Sequence, residues 1–199
     1  MKDIIKKKQD ILVGSSKLKS QKNNNFEKNL YVIENMNHNK AYYYNLEDKK
    51  NFKNLKPKEI LEIFKNRYLK YRHNWTNALK EKNELIPLSV DIELASICDL
   101  ACPHCSREYV ITPDKIMDFN LYRKIIDEIS QMNVPSIKLN WRGEPLLNPN
   151  ISKCIDYAKQ KGILEVIINT NATNLTDKMS EEIIEAGLDN MIYSFDGGT

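Results

Sequence analysis

From residue 88 onwards, short stretches of alternating apolar and polar residues are separated by longer stretches with a helical period. The alternating stretches predict strands over 88–94, 136–141, 164–169 and 189–195. The longer stretches predict amphipathic helices over 118–132, 150–161 and about 176–186. The predicted order is therefore β-α-β-α-β-α-β, and crossovers of this length imply parallel strands with the helices packed outside.

Each predicted strand has one apolar face and one polar face, whereas the strands of a doubly wound sheet are apolar on both faces. We therefore predict an α/β fold in the form of a partial (βα) barrel, with functional groups at the carboxyl ends of the strands. Apolar side chains of the second strand face the outer helices: Ile137, Leu139 and Trp141. Polar side chains face a lumen and are candidates for substrate contact: Asp91, Glu93, Lys138 and Asn140.

The first 87 residues have a different composition. They contain 20 Lys and Arg against 10 Asp and Glu, a net charge of +10, whereas 88–199 carry −7. We expect 1–56 to be a basic, partly disordered Asn/Lys-rich segment with a hairpin over 30–46. Residues 57–87 are predicted to be an amphipathic helix over 57–82 and a linker. Its apolar stripe is expected to dock on the chain's own domain: Ile60, Ile63, Phe64, Tyr68, Tyr71 and Trp75.

Hydropathy and cysteine usage bear on the location of the protein. The mean hydropathy is −0.56, and no apolar run approaches the roughly 18 residues of a membrane span. The first apolar patch is too short for a signal peptide, so we predict a cytoplasmic protein. A reducing compartment favours metal ligation or catalysis over disulfides for the four cysteines. Because the fourth strand leaves an uncovered sheet edge, we also expect the domain to be incomplete.

The loop after the first strand contains Cys98, Cys102 and Cys105 in the spacing Cys-x3-Cys-x2-Cys. Soft thiolates select zinc or iron–sulfur clusters, and a structural zinc site needs four ligands. The fourth cysteine, Cys154, lies on the apolar stripe of a helix, where it is predicted to be core packing. Three cysteines on a four-iron cluster leave one iron free to bind another molecule.

This motif after a first strand resembles the radical S-adenosylmethionine (radical SAM) enzymes. The resemblance implies that Cys98, Cys102 and Cys105 hold a [4Fe–4S] cluster whose open iron is chelated by S-adenosylmethionine. The reduced cluster of such enzymes cleaves this cofactor to a 5′-deoxyadenosyl radical, which abstracts a substrate hydrogen. An electron donor such as flavodoxin or ferredoxin is implied, and the substrate is left open between a peptide and a sugar or other small molecule.

The resemblance extends over residues 88–199, because further similar residues lie at the ends of successive predicted strands. Arg142-Gly143-Glu144-Pro145 is similar to the family's Gly-Gly-Glu-Pro segment, which contacts the cofactor's amino group, with Arg142 in place of the first glycine. The resemblance implies cofactor contacts, including His104 near the adenine, for the following set: His104, Gly143, Glu144, Pro145, Asn169, Thr170, Asn171, Ser194 and Asp196. It covers the first four of six βα units and is closest to the SPASM-extended group.

Two other readings remain. In a zinc-binding module, Cys98, Cys102, His104 and Cys105 would be the ligands and the basic residues 1–87 would grip nucleic acid phosphates. Adjacent His104 and Cys105 are awkward tetrahedral ligands, and this reading leaves the βα order unexplained, so nucleic acid is a disfavoured partner. Alternatively, the chain is an inactive fragment of a radical SAM protein, because a barrel lacking strands would expose its cluster to oxygen.

Overall fold

The structure is a computed structural model that describes residues 56–78, 86–110 and 113–195. Four parallel strands lie side by side in the order in which they occur in the chain. The strands are β1 (Ser89–Asp91), β2 (Ser136–Lys138), β3 (Glu165–Thr170) and β4 (Asn190–Tyr193). The helices are α1 (Pro57–Asn77), α2 (Phe119–Gln131), α3 (Ile151–Gln160) and α4 (Asp177–Ala186). Short 3-10 helices occupy Ser106–Glu108 and Pro145–Leu147.

The sheet confirms the predicted α/β partial barrel. Ile137 on β2 is in register with Val90 on β1 and Val166 on β3, and Ile168 pairs with Met191 on β4. Helices α2, α3 and α4 make the three crossovers between these parallel strands. The loops that follow the strands therefore all leave from one edge of the sheet, the carboxyl edge.

The main core lies between the sheet and the three crossover helices. Ile126, Ile137, Ile155 and Ile168 are completely buried there, and the Tyr122 hydroxyl donates to the Cys154 carbonyl at 2.8 Å. The thiol of Cys154 is 1% exposed. Its prediction as a core residue is confirmed.

Helix ends follow the local chemistry of the sequence. Asp118 accepts hydrogen bonds from the amides of Asn120 and Leu121 and so caps α2. Gly187 ends α4 with a φ of 98°, a left-handed conformation that favours glycine. The crossover helices consequently begin and end within one residue of the predicted bounds.

The first two strands are shorter than predicted, and this changes one assignment. β2 ends at Lys138 rather than at residue 141. Ile137 and Leu139 are buried as expected, but Trp141 is 69% exposed. The prediction that Trp141 shares their packing face is wrong, because the chain has already left the strand before this residue and no longer alternates between the two faces.

Helix α1 packs at the amino edge of the sheet, opposite the loops that leave the carboxyl edge. Phe64, Tyr68 and Tyr71 are buried against Leu88 and Leu164, the residues that immediately precede β1 and β3. The Tyr71 hydroxyl also donates to Oε2 of Glu165 at 2.7 Å. The predicted docking of the helix on its own domain is confirmed.

The predicted stripe of α1 is correct only in part. Ile60, Phe64, Tyr68 and Tyr71 are buried, whereas Trp75 is 50% exposed near the end of the helix. The predicted hairpin over 30–46 and the last predicted helical residues lie outside the described ranges. Within those ranges, no helix is both long and apolar enough to cross a membrane.

Candidate active site at the carboxyl edge

The three clustered cysteines lie on a long loop between β1 and α2 that is closed at its base. Ala95 forms an antiparallel bridge with Ile116, and the amide of Ser96 donates to the Lys115 carbonyl at 2.9 Å. Arg107 donates from Nε to the Ser96 carbonyl at 2.9 Å, which ties the middle of the loop to its base. The loop is therefore a folded unit.

The cysteine side chains themselves are half-buried and free. Cys98, Cys102 and Cys105 each retain partial exposure and form no disulfide, and the Cys105 amide donates to the Cys102 carbonyl at 3.0 Å. In the described part of the chain, no three His, Cys, Asp or Glu side chains are gathered as a metal site. The structure thus places the three predicted ligands on one loop, and their convergence on a metal stays a prediction.

The segment after β2 contacts this loop through its backbone. The Glu144 amide donates to the Ile97 carbonyl at 2.8 Å. A Cβ atom on Gly143 would lie 2.0 Å from the Ala95 carbonyl oxygen and 2.5 Å from that of Ile97. Only glycine allows this approach, so Gly143 is required by the packing of the β2 segment against the start of the cysteine loop.

Glu144 is buried, with 3% exposure. Its Oε1 accepts from the Thr170 hydroxyl at 2.7 Å and from the Leu146 amide at 3.0 Å, while Oε2 accepts from the Asn171 amide at 2.9 Å. All of these donors are neutral, and among the described residues no cation pairs with this carboxylate. A buried carboxylate of this kind is stabilised by a cationic partner, which makes it suited to an ammonium group.

A second network joins the cysteine loop to the loop after β3. Asp99 accepts hydrogen bonds from the side-chain amides of Asn171 at 2.9 Å and Asn174 at 2.8 Å, and from the Thr173 hydroxyl. Partial burial acts to raise the pKa of Asp99, but these hydrogen bonds outweigh it and hold the pKa below its usual range. Sequence reasoning missed Asp99, Thr173 and Asn174, because more than 70 residues separate the two loops.

Asn171 also reaches the first cysteine. Its Nδ2 lies 3.8 Å from the Cys98 sulfur, within the range of an N–H···S contact. Burial raises the pKa of the Cys98 thiol, the Asp99 and Glu144 carboxylates act in the same direction, and the Leu100 amide acts against them. Binding as a thiolate therefore requires a compensating positive charge, which a metal would supply.

The remaining predicted site residues have different surroundings. Thr170 is 2% exposed, and the Asn169 amide donates to Oδ1 of Asn140 at 2.9 Å. Asn169 Oδ1 is buried and has no hydrogen-bond partner in the described structure. Pro145 is buried, His104 and Ser194 are exposed, and Asp196 lies outside the described ranges.

An ion pair joins the segments that follow β1 and β2. Glu93 Oε1 accepts from Nε and the amide of Arg142 at 3.1 and 3.0 Å, and Oε2 accepts from Nη2 at 2.7 Å. Burial acts to raise the pKa of Glu93, but the hydrogen bonds from Arg142 prevail and hold it below its usual range. The ion pair holds the side chain of Arg142 in place, at the position where the similar Gly-Gly-Glu-Pro segment has its first glycine.

The residues fit the cofactors that the cysteine motif implies. Three soft thiols lie on one loop, the Glu144 carboxylate has no cationic partner among the described residues, and Asn169 has an unpartnered buried acceptor that suits a ribose hydroxyl. These donors and acceptors match an iron–sulfur cluster, an ammonium group and a sugar, respectively.

The environment of the four cysteines predicts their reactivity. Burial raises the pKa of the Cys154 thiol to about 12, whereas the three loop cysteines are accessible. Because the thiolate is the nucleophile, we expect iodoacetamide at pH 8 to label only the loop cysteines of the apo protein, with Cys154 labelled after denaturation. Peptide mass mapping checks this, and native labelling of Cys154 at the rate of Cys98 would contradict the packing described above.

Comparison with known proteins identifies the family. A sequence profile described as the Radical SAM superfamily matches residues 92–199, which is more than half of the chain. The chain belongs to the radical SAM superfamily. The predicted family is thereby confirmed. Members of this family use an iron–sulfur cluster and S-adenosylmethionine.

Two curated relatives illustrate the similarity of this radical SAM chain. The tungsten-containing aldehyde ferredoxin oxidoreductase cofactor-modifying protein of Pyrococcus furiosus is 32% identical over 108 residues, which cover 53% of this chain and 30% of the relative. The GTP 3',8-cyclase of Chlorobaculum tepidum is 36% identical over 108 residues, covering 54% and 32%. The matched part of the chain therefore spans about a third of the length of these relatives.

A solved structure shows the same fold. The crystal structure of BtrN in complex with AdoMet and 2-DOIA superposes with a TM-score of 0.53 at 24% identity, covering 58% of this chain and 48% of that chain. This likeness bears on the fold alone and agrees with the partial barrel. The SPASM grouping, the domain bounds and the individual site residues stay predictions.

Proposed function

We propose that this chain binds a [4Fe–4S] cluster through Cys98, Cys102 and Cys105 and takes part in the reductive cleavage of S-adenosylmethionine. The observation that carries the proposal is the joining of three strand-end segments at one edge of the sheet. The Glu144 amide donates to the Ile97 carbonyl in the cysteine loop, and the Glu144 carboxylate accepts from the Asn171 amide at the end of β3. Cluster ligands and cofactor contacts would thereby be held in one rigid unit.

The bound cluster and S-adenosylmethionine would supply the electron transfer and bond cleavage that start hydrogen abstraction. The chain's own residues bind and orient. We assign the buried Glu144 carboxylate to the methionine ammonium, because its present donors are neutral. The unpartnered Asn169 Oδ1 would accept from a ribose hydroxyl, and Asn171 would donate to the Cys98 sulfur. Supporting contacts are assigned to the other predicted residues: His104, Gly143, Pro145, Thr170, Ser194 and Asp196.

The substrate and the electron donor are part of the same proposal. Relatives are named for action on GTP and on a peptide, as in the PqqA peptide cyclase of Xanthomonas oryzae. We propose a peptide or small-molecule substrate, and reduction by a ferredoxin or flavodoxin in the cytoplasm. The partly exposed cysteines on the carboxyl-edge loop agree with access by such a donor.

The proposal is tested by electron paramagnetic resonance on the chain reconstituted anaerobically with iron and sulfide. We expect a reduced four-iron signal whose shape changes when S-adenosylmethionine is added. Alanine at Cys98, Cys102 or Cys105 should abolish the signal, whereas Cys154→Ala, a matched control in the core, should retain it. Glu144→Gln should retain the cluster and lose most of the cofactor response, with binding about tenfold weaker or worse.

Each alternative has its own outcome in this experiment. If the chain binds zinc in place of iron, and Cys98→Ala loses that zinc, the proposed radical SAM function is overturned and the zinc-binding module is supported. A cluster whose spectrum does not change when S-adenosylmethionine is added would contradict the assignments of Glu144 and Asn169 and would support the inactive fragment. Iron content and cofactor response are measured on the same samples, so these two failures are distinguishable.

A further inference from the structure

A pocket of about 410 Å³ opens beside the cysteine loop and is not used by the residues assigned above. Its lining consists of Asp91, Glu93, Val110, Trp141 and Arg142. Asp91 ends β1, Trp141 and Arg142 follow β2, and Val110 belongs to the cysteine loop itself. The pocket therefore lies at the carboxyl edge, where a substrate must sit to meet the cofactor.

Arg142 presents a fixed cationic edge to this pocket. Glu93 occupies its Nε and Nη2, and within the described residues no acceptor contacts Nη1. A guanidinium can bind one carboxylate through Nε and Nη2 and a second through its outer edge. The ion pair thus holds the side chain in place and leaves its outer edge for an oxyanion of the ligand.

The other lining groups add a carboxylate and an apolar surface. The Asp91 carboxylate lies 3.4 Å from the Lys138 ammonium, and the Asp91 side chain is 40% exposed. Trp141 is 69% exposed and Val110 is 42% exposed. Exposed aromatic side chains of this kind form stacking surfaces for a ligand, and the Asp91 carboxylate can accept from an amine.

The charge balance restricts the ligand. Two carboxylates, Asp91 and Glu93, flank a single guanidinium in the lining, with Lys138 beside them. Lys138 offsets Asp91 and Arg142 offsets Glu93, so a triphosphate would bring several negative charges that this lining does not compensate. A ligand with one carboxylate and one amine matches the available partners without excess charge.

We propose that this pocket binds an amino acid or peptide segment: Arg142 takes its carboxylate, Asp91 its amine, and Trp141 its apolar or aromatic side chain. The assignment rests on the proposed function and names its substrate class as amino-acid-derived rather than nucleotide. It also gives a reason for the arginine that replaces a glycine in the Arg-Gly-Glu-Pro segment. Glu93 acts through Arg142 and is a positioning residue.

The test measures binding of simple probes to the reconstituted full chain by ligand-observed nuclear magnetic resonance titration. The probes are L-phenylalanine, phenethylamine, 3-phenylpropionate and GTP. We expect L-phenylalanine to bind more tightly than the other three. Arg142→Gln should weaken binding of L-phenylalanine and 3-phenylpropionate about tenfold, with little effect on phenethylamine. Asp91→Asn should weaken binding of the two probes that carry an amine, L-phenylalanine and phenethylamine, with little effect on 3-phenylpropionate.

Two further variants separate recognition from folding. Trp141→Ala leaves the Glu93–Arg142 pair intact and should weaken all three aromatic probes about three- to tenfold. Arg123→Gln removes an arginine from the outside of α2, beside Tyr157, and should change nothing in the pocket. Circular dichroism checks that each variant retains the fold.

The proposal is overturned if GTP binds more tightly than L-phenylalanine, if probe binding is the same in Arg142→Gln and Trp141→Ala as in the parent, or if no probe saturates at millimolar concentrations. The cofactor response is recorded on the same samples. If the cluster responds normally to S-adenosylmethionine but probe binding does not depend on Arg142, only the pocket assignment is overturned. Arg142-dependent binding without a cofactor response supports the pocket and overturns the proposed catalytic function.

Discussion

Replacing Gly143 with alanine is expected to separate the segment after β2 from the cysteine loop. The new Cβ would stand 2.0 Å from the Ala95 carbonyl oxygen and 2.5 Å from that of Ile97. Both neighbours are backbone atoms, so no side-chain rotation can relieve the overlap. The hydrogen bond from the Glu144 amide to the Ile97 carbonyl, 2.8 Å long, would be lost as the two segments move apart.

The expected cost of Gly143→Ala is about 3 kcal/mol in the free energy of unfolding, at the upper end for overpacking. For a chain of this size it corresponds to a melting temperature lower by roughly 10 °C. Thermal unfolding by circular dichroism measures it. The displacement of Glu144 should also remove the response of the reconstituted cluster to S-adenosylmethionine.

Gly187→Ala is a matched control for this variant. Gly187 ends α4 with a φ of 98°, so alanine there is strained by conformation and costs about 1–2 kcal/mol. It lies outside the carboxyl-edge site, and the cofactor response should therefore survive. Equal melting temperatures of Gly143→Ala and the parent chain would show that the close approach of the two segments is not needed.

Replacing Lys159 with methionine is expected to destabilise the sheet at its amino edge. Lys159 is completely buried at the end of α3, and its Nζ donates to Asp189 Oδ2 at 2.6 Å and to the Leu164 carbonyl at 3.0 Å. The same Asp189 oxygen accepts from the Val166 amide at 2.8 Å. One ammonium thus connects α3 with the starts of β3 and β4.

Methionine fills the space of the lysine stem but removes the ammonium that donates to the Asp189 carboxylate and to the Leu164 carbonyl. Removal of one member of a buried pair costs about 3–5 kcal/mol. The partial exposure of Asp189, 24%, places the expected loss near the lower bound. Urea unfolding of Lys159→Met measures it as a lower midpoint at unchanged slope.

The neighbouring Lys161 gives the control. Its ion pair with Asp127 is 2.6 Å long, but both side chains are 39% exposed, and exposed pairs contribute less than about 1 kcal/mol. Lys161→Met should therefore shift the midpoint far less than Lys159→Met. Similar shifts for the two variants would mean that burial of Lys159 adds nothing to its ion pair.

The position of the candidate site at the carboxyl edge was predictable because it follows from the direction of the strands. Parallel strands with helical crossovers bring every strand end to the same edge, so the cysteine loop, Glu144 and Asn171 had to lie near each other. The packing face of Trp141 was predicted wrongly because that prediction depended on where the strand ends. Alternation predicts a face only while the chain remains in a strand, and β2 ends three residues earlier.

The sequence by itself determined the order of elements, the core role of Cys154 and the grouping of the three loop cysteines, because each depends on periodicity or spacing within a short stretch. Only the tertiary structure decided which residues contact one another across long separations. The fit of Gly143 against Ala95, the hold of Glu93 on Arg142 and the network at Asp99 each join residues about 50 or more positions apart. Local patterns carry no information about such pairs, since their partners are set by the register and packing of the strands.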